Sequence, residues 1–270
     1  MTPSPNVMRS MRPFIAYNSV VRRIWGDPDI VLLIFAGAAA EFALNRAVDW
    51  LFFTNRLPKD PIGRLFSTVH YAQRIVFANE QDALETLAKI SAIHSAVERG
   101  RGQLIPDWAY RDVLYLLIDN SRRAYELLYG SLTTREREDL YSGFLRVGQG
   151  LQIAQLPSGF QEWLADRDAH LKRDLVYSKH TKILFQQYRL QLGWWRYQLL
   201  LELQALLVPE HVRGLLQLAP KRLFMRPLVS AYSLVAQLGL QGPVQHALIP
   251  KAYWPQIKSL KPAAREPAAS

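Results

Sequence analysis

The chain has 270 residues, 49% hydrophobic and 21% charged, with no cysteine and a formal net charge of +10. That length can bury a sizeable core, and the apolar content excludes wholesale disorder. Without cysteine there can be no disulfides, thiolate nucleophiles, cysteine-type zinc sites, iron–sulfur clusters or thioether-linked haem.

Residues 1–19 carry Arg9 and Arg12, no acid and three prolines, and read as a poorly structured basic N-terminus. Residues 1–26 hold no apolar run behind these charges, so no secretory signal is expected. After GDPD (26–29), a helix is expected over 30–54, built on VLLIFAGAAA (31–40). That run is too short to cross a bilayer and reads as a buried core helix. The turn RLPKDP (56–61) ends it, and helices follow over 62–78 and 80–99, the latter stopped by GRG (100–102).

IPDW (105–108) opens the next helix, which runs to Tyr129, and Thr133 with Glu136 forms a capping box for one ending near Gly148. LPSGF (156–160) leads into a helix ending near Tyr177, and a long helix is expected from Thr181 until VPEHV (208–212) closes it. A short helix from Glu210 and a basic amphipathic helical appendage at 221–260 complete the pattern, before a disordered tail at 261–270. From Glu210 onward Lys and Arg number 8 against 2 acids, a balance that suits an anionic membrane surface, nucleic acid or plain solvation. The expectation is a single all-α globular domain around a buried, mostly apolar pocket. Its location is expected to be cytoplasmic, at most peripheral to a membrane.

Familiar catalytic constellations are missing. There is no G-x-S-x-G, no phosphate-binding G-x-x-x-x-G-K-[ST] and no H-E-x-x-H. No Glu-x-x-His occurs, which argues against a carboxylate-bridged di-iron bundle. His170, with Asp166 and Asp174 one turn to either side, reads as part of a solvated, salt-bridged face. WWRY (194–197) could stack on bases, but its spacing with Tyr188, Leu192 and Leu199 favours core packing for at least one tryptophan, and nucleic acid is not expected.

KISAIHSAVERGRG (89–102) places His94 on a helical stripe with Leu84, Leu87, Ile90 and Val97. An inward-facing imidazole needs a partner. Spacing alone leaves two: an ordinary core hydrogen bond, or a metal, since a neutral imidazole on a buried helix is what non-covalent haem b requires.

The order of segments then carries a resemblance. DPIGRLFST (60–68), IVF (75–77), AIHSAVERGRG (92–102), IPDWAYRDVLYLLID (105–119) and LTTREREDLY (132–141) follow, over residues 20–220, the catalytic domain shared by bacterial rubber oxygenase and the fungal oxygenase that cleaves a farnesyl chain. The resemblance implies an all-α fold holding haem b, with iron bound by His94. It implies that Arg64 and Thr68 lie on the distal side, where they would meet dioxygen or peroxide, or in the case of Arg64 a haem propionate. The substrate implied is a hydrophobic small molecule, prenyl or lipid-like.

The sequence also departs from that pattern. Ser67 stands where rubber oxygenase has lysine, Asn45–Arg46 where many relatives have His-Pro, and Asp119 where a histidine is common. Ser91 and Glu98 stand where arginines often flank the haem histidine. The competing expectation is therefore a non-catalytic helical protein on the same scaffold, binding haem, a membrane or a partner.

Overall fold

The computed structural model describes residues 12–53, 59–219 and 250–255. Among these, regular structure is helical, and only two isolated bridges, Pro13 with Asn79 and Asn45 with Leu175, have β character. The helices are α1 (Val20–Trp25), α2 (Pro28–Leu44), α3 (Asp49–Phe53), α4 (Pro61–Val76), α5 (Glu80–Arg101) and α6 (Asp107–Tyr129). They continue with α7 (Thr134–Gly150), α8 (Phe160–Asp174), α9 (Lys179–Leu192), α10 (Trp194–Leu207) and α11 (Glu210–Leu215). No helix among the described residues is long and apolar enough to cross a membrane.

The core is organised around α2. Asp27 caps it by accepting from the amides of Asp29 and Ile30, and Pro28 supplies a preset φ in its first turn. Its apolar residues are not confined to one stripe, which is the pattern of a helix surrounded on all sides. Ile30, Val31, Ile34, Ala40 and Leu44 are almost wholly buried. The helix packs chiefly against α6 and also against α1, α9 and α10. Gly37 lets α6 approach: a Cβ there would lie 1.9 Å from Asn120 Oδ1.

Three expectations about elements change. The first core helix stops at Leu44, because Asn45 turns extended (ψ 132°) and its side chain accepts from the Ala47 amide. The freed carbonyls of α2 are taken up across the fold, by Val176 N at 2.8 Å to Leu44 O and Thr181 Oγ1 at 2.7 Å to Ala43 O. This answers the demand that buried backbone groups be paired. The long helix expected after Thr181 is two helices, broken at Gly193 with φ 74° and ψ 169°, a conformation open to glycine almost alone.

The third change concerns WWRY. Both tryptophans are exposed, Trp194 at 69% and Trp195 at 45%, while Tyr188 takes the core position. Residues 12–19, part of the N-terminal arm, pack on the body: Phe14 and Ile15 are buried, and the Phe14 amide donates to Ala78 O at 3.0 Å. The appendage at 221–260 falls largely, and the tail at 261–270 wholly, outside the described residues.

Candidate functional site

Helices α4 and α5 form an antiparallel hairpin around the short connection at 77–79. Arg64 lies twelve residues before the end of α4 and His94 fourteen after the start of α5. At a rise of ~1.5 Å per residue both therefore sit about 20 Å from the turn, level with each other. The electrostatics agree, because the Arg64 charge acts on His94.

Burial lowers the pKa of His94 from its ordinary 6.5; Glu98 pulls it up, and Arg64 pushes it down again. The net effect favours the neutral imidazole. Its ring packs against Tyr110 with centroids 5.1 Å apart. Tyr110 is held by Glu98, whose Oε1 accepts both the Tyr110 hydroxyl (3.2 Å) and the Ile105 amide (2.9 Å). Glu98, one of the departures from the family pattern, thus positions the aromatic neighbour of His94. No hydrogen bond joins either ring nitrogen of His94 to another described residue. The stripe is not wholly inward: Leu87 is buried and Ile90 and Val97 are half-buried like His94, but Leu84 is 45% exposed, with Ala83 and Thr86 turned inward instead.

Thr68 shares α4 with Arg64, one turn on. It is exposed, and its hydroxyl donates to the Arg64 carbonyl at 3.2 Å. Ser67 does the same to Gly63 O at 3.0 Å. The structure thus brings Arg64 to His94 and leaves the Thr68 hydroxyl bonded within its own helix.

A second polar assembly lies in the core between α2, α6 and α8. The solvated face expected for His170 is in fact buried, with His170 and Asp174 each 2% exposed. The face turns inward because α8 packs it against Asp112 of α6. His170 Nδ1 bonds Asp112 and lies 3.2 Å from Asp174 Oδ2, while Nε2 is 3.7 Å from Asp166. Asn45 Nδ2 donates to the other Asp112 oxygen at 2.7 Å. One turn further along, Arg167 pairs with Glu41 at 2.5 Å and with Asp119 at 3.5 Å. Burial alone would raise Asp119, but Arg123, Arg167 and Arg122 reverse this and hold its carboxyl at about 2. Burial does raise Glu41 and Asp112.

Asp112, His170 and Asp174 place three ligand-type atoms within 4.8 Å of one another, a donor set that could bind a metal. The same atoms already have partners. Besides Asn45, Arg173 Nη2 lies 3.2 Å from His170 Nδ1 and 2.5 Å from Asp174 Oδ2, so an incoming cation would have to displace a guanidinium. Sequence reading missed this assembly. Its signal was Glu41, a carboxylate set within the apolar run of α2 well beyond Asp29 in the first turn, and polar residues seven apart on one face of α6 (Asp112, Asp119) and of α8 (Arg167, Asp174).

The fold and site thus define an all-α domain with a charged core and, on a helical hairpin at its edge, a neutral imidazole beside a guanidinium. The family model described as ER-bound oxygenase mpaB/B'/Rubber oxygenase, catalytic domain, matches residues 22–237, and the chain belongs to that family of oxygenase catalytic domains. No curated protein and no solved structure shows significant similarity to it.

Proposed function

We propose that the chain is a haem b-dependent oxygenase that oxidises or cleaves a hydrophobic small molecule of prenyl or lipid-like character. The observation that carries this reading is His94: a half-buried imidazole kept neutral, without a hydrogen-bond partner among the described residues, in an oxygenase catalytic domain. A satisfied core histidine would have a protein acceptor or donor, whereas an axial ligand needs a free, unprotonated nitrogen.

The donor set suits the group. His94 would supply a nitrogen ligand to the iron and Arg64 a cation for a propionate, which guanidinium binds well. Haem would supply the activation of dioxygen or peroxide, while the protein sets ligation, orientation and access. Tyr110, fixed by Glu98, restrains the plane of the imidazole. Thr68 takes a distal role on this reading only if its hydroxyl leaves the Arg64 carbonyl, a small rotamer change at an exposed position.

The test is titration of the purified chain with haem b. Saturable one-to-one binding with a Soret band, lost or shifted in His94→Ala, supports the reading. Absence of saturable binding by the unsubstituted chain overturns it. Haem bound by His94 but inert toward dioxygen and peroxide with isoprenoid substrates would leave a binding protein on an oxygenase scaffold.

A further inference from the structure

Two tryptophans and a leucine stand out from the surface at one corner of the fold. Leu190 at the end of α9 is 74% exposed, and Trp194 and Trp195 at the start of α10 are 69% and 45% exposed. Gly193 makes the corner, its positive φ turning the chain between the two helices. Large side chains this exposed cost solvation, and a soluble protein normally buries them.

The charge around them has one sign. From Leu175 to Leu201 the chain contains Lys179, Lys182, Arg189 and Arg196 and no aspartate or glutamate. Arg189 is exposed, and the Arg196 guanidinium lies over the Trp195 ring at 4.4 Å. Among the described residues, the Asp60 carboxylate reaches the corner from elsewhere, tied to Gln191 through the Tyr253 hydroxyl (3.1 and 3.2 Å). It is already engaged as the cap of α4, accepting from the Gly63 amide.

We infer that the α9–α10 corner is a docking surface for an anionic lipid bilayer, with Leu190, Trp194 and Trp195 entering the interface and Arg189 and Arg196 meeting the headgroups. Tryptophan suits that depth because its ring is apolar and its N–H is polar. A protein partner or a nucleic acid would also meet cations and aromatics. The membrane is favoured because three exposed large apolar side chains gather at this one corner, and arginines flank them. The corner also abuts the start of α4, since Gln191 Nε2 donates to Lys59 O at 3.0 Å, and Arg64 lies one turn inside that helix. If the haem reading holds, the docked orientation sets the candidate site beside the lipid that would carry an apolar substrate.

The experiment is vesicle flotation of the full chain, without haem, on phosphatidylcholine alone and on phosphatidylcholine with 30% phosphatidylserine. Binding to the anionic vesicles is expected, together with a loss of roughly tenfold or more in Trp194→Ser/Trp195→Ser and in Arg189→Glu. Both variants alter exposed side chains and should keep the circular dichroism melting temperature of the parent. No binding by the parent, or equal binding by well-folded variants, overturns the proposal; equal binding would mean that another surface holds the lipid. Concentration-dependent self-association abolished by the tryptophan changes, without lipid binding, would also overturn it in favour of a second copy. Because no haem is present, either outcome is independent of the role of His94.

Discussion

Arg64, one turn into α4, lies near enough to His94 on α5 for its charge to add to burial in favouring the neutral imidazole. A ligand nitrogen must be unprotonated, so a cation beside the site serves binding even where it touches no ligand.

This relationship has a measurable sign. The folded-state pKa of His94 lies below 6.5, so the unfolded chain binds more protons in the window between those two values. This contribution therefore weakens stability as pH falls from 6.5 through the folded pKa, and levels off beneath it. In haem-free protein, the His94 ring resonances should titrate below 6.5 and move upward in Arg64→Ala. A His94 midpoint above 6.5 in the parent would contradict the arrangement.

His170 is the hinge of the buried assembly. Replacing it with alanine leaves Asp112 and Asp174 facing each other without the imidazole, at an expected cost of about 3–5 kcal/mol in urea unfolding. Asp166→Asn, at a carboxyl 35% exposed, should cost under ~1 kcal/mol. Equal effects from both would show that burial does not separate their roles.

Asp119 makes an acid-side prediction. Its carboxyl titrates at about 2 in the fold against 3.8 in the unfolded chain, so its stabilising contribution is complete above 3.8 and is lost as pH falls through 2. Asp119→Asn should flatten the stability profile in that interval while lowering stability at pH 7, because Arg122, Arg123 and Arg167 lose a shared anion. Denaturant melts at pH 7, 4, 3 and 2 give the comparison.

Gly37→Ala should destabilise by about 1–3 kcal/mol through overpacking against Asn120. Asn120→Ala in the same chain should recover part of that loss, a non-additivity expected of residues in contact. Simple addition of the two effects would show that the helices separate instead.

Helix identity was legible in the sequence wherever local chemistry specifies it. The Thr133–Glu136 box caps where its spacing places it, because a cap is decided within four residues. Interruptions were not legible. Leu192–Gly193–Trp194 reads as helix by periodicity, and only the demand to fold α10 back onto α2 gives Gly193 its positive φ. The candidate site divides the same way. His94 can be picked out by its segment, but its neutrality depends on Arg64 arriving from a different helix.

By itself the sequence determined an all-α chain with caps at set positions, a cysteine-free chemistry, and membership of an oxygenase family that a segment order can carry. Tertiary structure alone decided that His170, flanked by two aspartates, lies in the core, and that Trp194 and Trp195 lie outside it. The physical reason is common to both. A charged face can be buried when another helix brings complementary partners, here Asp112 with Asn45 and Arg167 with Glu41. An apolar ring stays at the surface when the chain turns before any helix can cover it, and neither outcome is encoded in the periodicity of one segment.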